Sequence, residues 1–164
     1  MRKIRGKVHL FDIPHINTDD IIPARYLVTD KEEELAKHAM EMIDPDFPSK
    51  VGDGDILVAS INFGCGSSRE HAVWAIRGTG IRAIVAESFA RIFYRNCINN
   101  GLLAIEMAGV TKLVSYGDEV EIDPGNGVLK NLTSGDEGRF VPIPDFIMKI
   151  VESGGLIEYI KRRG

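Results

Sequence analysis

Between residues 56 and 99 the chain repeats one pattern twice, and this pattern limits the possible folds more than any other feature. Residues 56–61 and 81–86 are short, compact apolar runs of strand length. Each run is followed by an amphipathic segment with helical spacing, residues 67–77 and residues 88–99. Strand, helix, strand and helix in succession predict parallel strands joined by right-handed crossovers. The chain is therefore expected to be an α/β protein.

The segment before this pattern adds one strand and one helix. Residues 4–11 alternate between apolar and polar side chains and predict a strand. Residues 17–20, Asn-Thr-Asp-Asp, are typical of a turn or a helix cap. Residues 31–42 place apolar side chains at helical spacing behind an acidic first turn and predict a short helix.

The segment after the pattern changes in character. Short strand-like runs such as residues 119–122 alternate with turn sequences at 117–118, 124–127 and 134–136, which predicts a β meander. Residues 144–153 and the last residues predict two closing helices. We expect one domain over residues 1–164, an α/β fold in which a mixed sheet or small β/β/α arrangement is covered by helices.

Charge and composition exclude several classes of function. The 164 residues include 20 Lys plus Arg and 24 Asp plus Glu, scattered along the chain, for a formal net charge of −4. A scattered, slightly acidic balance argues against a nucleic-acid partner. No apolar run approaches the roughly 20 residues that span a bilayer, and the first residues lack an apolar stretch of signal-peptide length. We expect a cytoplasmic protein without a membrane partner.

Cysteine and histidine spacing gives no indication of a metal site. Cys65 and Cys97 match neither a disulfide framework nor a CxxC ligand pair. The four histidines include no pair at positions i and i+4. The chain is therefore expected to bind no metal and no cofactor of its own.

Residues 62–72, Asn-Phe-Gly-Cys-Gly-Ser-Ser-Arg-Glu-His-Ala, are the most informative stretch for function. Glycines allow close backbone approach, a helix N-terminus favours anions, and two hydroxyls and a guanidinium follow at once. Together these features predict a carboxylate or phosphate site. The alternative is that Ser67 and Glu70 only form a capping box. The spacing matches neither a P-loop nor a dinucleotide fingerprint, so a nucleotide is disfavoured.

Cys65 offers a second hypothesis for the same stretch. A thiol just before a helix N-terminus, with His71 nearby in sequence, has the composition of an activated nucleophile. Sequence alone does not place His71 beside the thiol, and a partly buried loop cysteine is the favoured interpretation.

Three motifs together carry a resemblance to a known family. GCGSSREHA at 64–72, ESFARIFYRNCINNGLL at 87–103 and NTDDIIPARYL at 17–27 resemble the small subunits of the 3-isopropylmalate dehydratase family, the separate-chain version of the swivelling domain of aconitase. The resemblance implies a hydro-lyase that isomerises a malate-type acid by dehydration and rehydration in leucine biosynthesis. It also implies a large subunit that carries a [4Fe–4S] cluster. The two subunits would form a heteromer, either a heterodimer or an oligomer of heterodimers.

The resemblance also implies roles for the motif residues. Ser67 matches the family's catalytic base, and Arg69 matches the residue that grips a substrate carboxylate. Gly66 and the Ser68 amide would bind substrate and stabilise the alkoxide of the base. Asp19 matches an acidic residue that orients active-site groups; its alternative is a turn or cap aspartate.

Residues 25–29 match the family's substrate-specificity loop. Arg25, Tyr26 and Val28 are the expected contacts with the variable arm of the substrate, and Val28 stands where homoaconitase-like members have an arginine. A fit to one small alkyl group is worth only about 1–3 kcal/mol, so Val28 favours an isopropyl group without deciding the substrate. Homoaconitase and dimethylmalate, maleate or citraconate-type hydro-lyases stay open, as does a stand-alone anion-binding regulatory module. No catalytic residue is expected in the helix at 88–99.

Overall fold

The computed structural model describes residues 2–163, and within them the chain forms seven strands and eight α-helices. The strands are β1 (Ile4–Phe11), β2 (Ile56–Ala59), β3 (Ala83–Ala86), β4 (Leu103–Glu106), β5 (Glu119–Asp123), β6 (Val128–Asn131) and β7 (Glu137–Arg139). The helices are α1 (Thr18–Ile21), α2 (Glu32–Ala36), α3 (Phe47–Lys50), α4 (Glu70–Gly78), α5 (Arg91–Asn99), α6 (Val110–Leu113), α7 (Asp145–Glu152) and α8 (Leu156–Arg163).

All seven strands belong to one mixed sheet with the order β4-β3-β2-β1-β5-β6-β7. Strands β1 to β4 are parallel to one another, and β5 to β7 form an antiparallel meander beside β1. Strand β1 joins the two halves: Ile4 pairs with Ile122 on the antiparallel side, and Val8 pairs with Ile56 on the parallel side. The predicted mixed sheet, the parallel pairing and the meander are confirmed.

The central strands are apolar throughout because both faces of the sheet are covered. In β2, Leu57 and Ala59 belong to one core cluster, with side chains from α1, α2, α4 and α5. Ile56 and Val58 belong to the other, with side chains from the meander, α6 and α7. A parallel sheet covered on both faces needs continuous apolar runs rather than alternation.

Several boundaries differ from the sequence-based expectations. The strands expected at 56–61 and 81–86 are the shorter Ile56–Ala59 and Ala83–Ala86, and the helix expected at 31–42 ends at Ala36. Apolar residues beyond these elements, such as Ile81 and Met40, are buried in turns. Burial continues past the end of an element, so the apolar pattern overestimated its length. The two closing helices are confirmed as α7 and α8.

Candidate functional site

The site lies at the carboxyl edge of the parallel strands, where the loops after β1 and β2 meet. The Gly64 N–H donates to the Ile16 carbonyl at 2.8 Å, and the Thr18 N–H donates to the Cys65 carbonyl at 2.9 Å. Buried backbone groups require such partners, and each loop supplies them to the other. The two motifs at 17–27 and 64–72 are thus held side by side in space.

The loop after β3 joins the same edge. Phe63 N–H donates to the Ser88 carbonyl at 3.1 Å, and Ala90 N–H donates to the Phe63 carbonyl at 3.0 Å. The Ser88 hydroxyl accepts from the Asn62 N–H at 2.8 Å and does not cap the following helix, which begins at Arg91. All three motifs therefore meet at one edge, a usual ligand position in open α/β sheets.

The expectation that a helix begins at Ser67 with a capping box is wrong. Helix α4 begins at Glu70, its N-cap is Arg69 in an extended conformation, and no side chain caps it. The Thr18 hydroxyl donates to the Ser67 carbonyl at 2.8 Å. The chain bends at Ser67 and stays non-helical through Arg69, and Ser67 and Ser68 are exposed.

Arg69 and Asp19 form an ion pair across the site, with Nη1 of the arginine 2.5 Å from Oδ1 of the carboxylate. The side chain of Arg69 is 18% exposed and that of Asp19 is 62% exposed. The capping box of α1 uses Asn17 and Asp20, which leaves the Asp19 carboxylate available for Arg69. The cap role that the sequence left open for Asp19 thus belongs to its neighbour.

A pocket of about 200 Å³ opens beside this pair. It is lined by Thr18, Gly64, Gly66, Ser68, Arg69, Ala90, Arg91, Ile92, Phe93 and Asn96. Two guanidiniums, two hydroxyls and an amide give it the donors that bind a carboxylate. Its volume is below the roughly 300–1,000 Å³ of drug-sized sites, which suits a small acid.

Arg91 and Asn96 were not expected in the site. Both belong to α5, where no catalytic residue was expected, and both line the pocket. The Arg91 guanidinium also contacts Glu106 at 3.3 Å. The signal that predicts this placement is the strand order, because consecutive parallel strands bring their following helices to the same edge.

The expected specificity loop lies outside the described lining of the pocket. Arg25 and Tyr26 are in a 3₁₀ turn, Ala24–Tyr26, and Val28 is 93% exposed. The Arg25 guanidinium and the Tyr26 hydroxyl both donate to Glu41. The structure thus places Gly66, Ser68 and Arg69 in the lining of the pocket, with Asp19 paired to Arg69. Ser67 is exposed between Gly66 and Ser68 and is not part of that lining, and Arg25, Tyr26 and Val28 lie on a neighbouring loop.

The ionisable groups under this loop have shifted pKa values. The Tyr26 hydrogen bond is the main cause that raises the pKa of Arg25, with the Glu41 carboxylate adding to it. Burial alone would raise the pKa of Glu41, but hydrogen bonds from His38 and Tyr26 outweigh it and lower that pKa below its ordinary value. Both groups are therefore charged over the physiological pH range.

Cys65 and His71 do not form a nucleophile pair in the structure. The Cys65 thiol is half-buried and donates to the His15 carbonyl at 3.5 Å, whereas His71 contacts Asp30 at 3.2 Å. Cys97 is fully buried, and burial raises the pKa of its thiol. Over residues 2–163, no group of three or more His, Cys, Asp or Glu side chains is arranged to hold a metal ion. A [4Fe–4S] cluster, which needs several thiolate ligands, does not fit the cysteines of this chain.

In the part of the chain that the structure describes, no helix has the length and apolar character needed to cross a membrane.

Comparison with known proteins places the chain and its fold in one class. Residues 2–109 match the family model of the aconitase C-terminal domain. A 3-isopropylmalate dehydratase small subunit 2 from Deinococcus radiodurans is 56% identical over 154 residues, 94% of this chain and 74% of that relative. An isopropylmalate/citramalate isomerase small subunit from Methanocaldococcus jannaschii is 52% identical over 160 residues, 98% of this chain and 95% of that relative.

A solved structure gives the same result. The crystal structure of a 3-isopropylmalate dehydratase from Methanocaldococcus jannaschii superposes with a TM-score of 0.91 at 44% identity, covering 99% of this chain and 95% of that one. The class is therefore the aconitase-type swivel domain, as the sequence motifs predicted. Within this class, the chain belongs to the family of 3-isopropylmalate dehydratase small subunits.

Proposed function

We propose that this chain is the small subunit of a hydro-lyase that isomerises 2-isopropylmalate to 3-isopropylmalate, by dehydration and rehydration, in cytoplasmic leucine biosynthesis. The observation that carries the proposal is the ion pair between Arg69 and Asp19, which borders a small pocket rich in donors beside the exposed Ser67. The relatives at 52–56% identity supply the reaction class.

Arg69 binds a carboxylate of the substrate in this proposal. Its Nη1 donates to Asp19, which fixes the guanidinium beside the pocket, and its remaining N–H groups are the donors for the substrate. A guanidinium can hold a carboxylate through two parallel hydrogen bonds, which fixes the orientation as well as the position of the acid. Asp19 is then a positioning residue that acts through Arg69.

Ser67 acts as the base that takes a proton from the carbon next to that carboxylate and returns it in the reverse half-reaction. A serine hydroxyl is a poor base at neutral pH and needs donors that stabilise its alkoxide. The Ser68 amide and the Arg69 guanidinium adjoin it in the chain, and the bond from Thr18 to the Ser67 carbonyl fixes the backbone there. Gly66 and Ser68 line the pocket and complete the binding surface.

A large subunit supplies the remaining part of the site in this proposal. Its [4Fe–4S] cluster provides Lewis-acid chemistry for the leaving hydroxyl. The two subunits form a heterodimer, or an oligomer of heterodimers, and the pocket beside Arg69 faces the partner.

Citramalate is a second candidate substrate beside 2-isopropylmalate. The relative from Methanocaldococcus jannaschii bears a name that includes citramalate, a methylated malate, and it is 52% identical to this chain. An uncharged Val28 suits both a methyl and an isopropyl group, which differ by two methylenes, each worth about 1–3 kcal/mol. We therefore propose activity on both acids, with 2-isopropylmalate preferred.

The test is reconstitution under anaerobic conditions with the cluster-loaded large subunit of a close relative. Alkene formation is followed from 2-isopropylmalate, citramalate and homocitrate, with the isolated chain as the control. We expect turnover of the first two acids by the complex and none by the isolated chain. Absence of turnover with an intact cluster, together with binding of small acids by the isolated chain, would identify a stand-alone binding module instead.

A further inference from the structure

Both ends of the loop over residues 22–30 are attached close to Arg69. Before the loop, α1 contributes Asp19 to the pair with Arg69. After it, Asp30 contacts His71 in the first turn of α4 at 3.2 Å. The loop therefore leaves and returns to the segment that carries the proposed substrate clamp, although none of residues 22–30 lines the pocket itself.

Glu41 lies beneath this loop and accepts hydrogen bonds from three side chains. The Arg25 Nη2 group is 2.7 Å away, the Tyr26 hydroxyl is 2.8 Å away, and His38 Nδ1 is 3.0 Å away. The ring of Tyr26 stacks on that of His38 with 3.7 Å between centroids. The Met40 N–H donates to the Ile21 carbonyl at 2.8 Å, which fixes this cluster against the end of α1.

The cluster pairs the only cationic side chain of residues 24–30 with a carboxylate. Arg25 is 61% exposed, and an exposed pair alone would be weak. Here Glu41 is only 23% exposed, and Arg25 also lies over the Tyr26 ring, 4.7 Å from its centroid. A network of this kind fixes the guanidinium beside a carboxylate that competes with any other anion for it.

We propose that Glu41 is a specificity-determining residue: by pairing with Arg25 it prevents that guanidinium from binding an additional carboxylate, so that acids with an alkyl arm are favoured over tricarboxylic acids. This inference rests on the proposed function. Val28, 93% exposed in the same loop, is the uncharged contact left for the arm. An acid with an extra carboxylate would have to separate Arg25 from Glu41 before it gained a cation.

The kinetic test uses the reconstituted complex with Glu41→Gln, the double variant Glu41→Gln/Arg25→Gln and the control Glu34→Gln. Glu34, in α2, forms an exposed pair with Lys37 at the C-cap of that helix. We expect Glu41→Gln to lower the preference for 2-isopropylmalate over homocitrate by about tenfold, through the KM of homocitrate, the size expected for one charge-assisted hydrogen bond. The double variant should restore the preference. An unchanged ratio in Glu41→Gln would overturn the proposal.

Hydrogen exchange of the isolated full chain tests the same contact without any partner or substrate. Glu41→Gln is expected to speed amide exchange in residues 24–30 by about tenfold or more, whereas Glu34→Gln leaves it unchanged. Unchanged exchange in Glu41→Gln would refute the role of Glu41 in holding the loop. If the complex turns over neither acid while the exchange result holds, the proposed reaction fails and the contact between Glu41 and the loop stands.

Discussion

Replacing Gly64 by alanine tests how the glycine loop is built into the site. Gly64 has a φ of +84°, and a Cβ there would lie 2.6 Å from Cβ of Phe93 and closer still to its ring. Real Cβ atoms do not approach side chains so closely, so Phe93 or the loop must move. Both residues line the pocket, and movement of either changes its shape.

Gly109 provides a matched control for the magnitude. It has the same φ of +84°, but a Cβ there would meet nothing within 4 Å. Both alanines carry the left-handed backbone cost of about 1–2 kcal/mol. Only Gly64→Ala adds overpacking, typically about 1–3 kcal/mol. The gain from a less flexible unfolded chain is common to both and cancels in the comparison.

Urea unfolding followed by circular dichroism measures the difference directly. We expect Gly64→Ala to lower the free energy of unfolding by about 1–3 kcal/mol more than Gly109→Ala does. In a thermal scan each kcal/mol corresponds to about 2–4 °C for a domain of this size. Adding Phe93→Leu should recover part of the loss in Gly64→Ala. Equal destabilisation by the two alanines would refute the clash with Phe93.

Three further predictions concern ionisable groups. Asp19→Asn is expected to lower kcat/KM of the complex by up to about fivefold, because Arg69 loses an exposed ionic partner worth up to about 1 kcal/mol. For Asp55, burial would raise the pKa, but the hydrogen bond from His9 and two backbone N–H groups outweigh it and lower that pKa below 3.8. Asp55 therefore stabilises the fold above pH 3.8, and this contribution is lost as the pH falls through the lower folded pKa. A thiol reagent is expected to modify half-buried Cys65 in the native protein and Cys97, whose pKa is raised by burial, only after unfolding.

Each of these predictions has a control and a contradicting result. Asp44→Asn, which removes the partner of Lys50 outside the site, should leave kcat/KM unchanged, and an equal loss there would contradict the role of Asp19. Unfolding free energies from pH 6 to pH 2.5 should fall more steeply in the native sequence than in Asp55→Asn; parallel curves would contradict the shift. Rapid modification of both thiols in the native state would contradict the burial of Cys97.

The sequence predicted the sheet well because buried parallel strands leave an unmistakable pattern. The apolar runs that form β2 and β3 are buried on both faces of the sheet. Parallel strands covered on both faces have apolar residues at successive positions, and this is the pattern that the sequence shows. The mixed sheet followed from the turn-rich segment after residue 115. The start of α4 was predicted wrongly: the helix begins at Glu70, and Ser67 instead lies against the loop after β1, where Thr18, 49 positions away, donates to its carbonyl. Local capping rules do not include such a contact.

The site was predicted in part. The motif residues Ser67, Ser68 and Arg69 could be selected from local chemistry and resemblance; Ser68 and Arg69 line the pocket, and the role of Ser67 stays a prediction. The pair between Arg69 and Asp19 spans 50 positions and needs the fold to be seen. The contributions of α5 and Glu41 were missed for the same reason, since each depends on which elements become neighbours.

The most direct test of the central claim is the rate of alkene formation from 2-isopropylmalate by the complex that contains Ser67→Ala. The matched control is Ser49→Ala, whose hydroxyl donates to the Asp46 carbonyl on an exposed turn. The account predicts that kcat falls by about 10²-fold or more in Ser67→Ala, the size typical of a lost general base, with cluster content and subunit association unchanged. It predicts no change in Ser49→Ala. A Ser67→Ala complex that keeps its full kcat would contradict the assignment of Ser67 as the base.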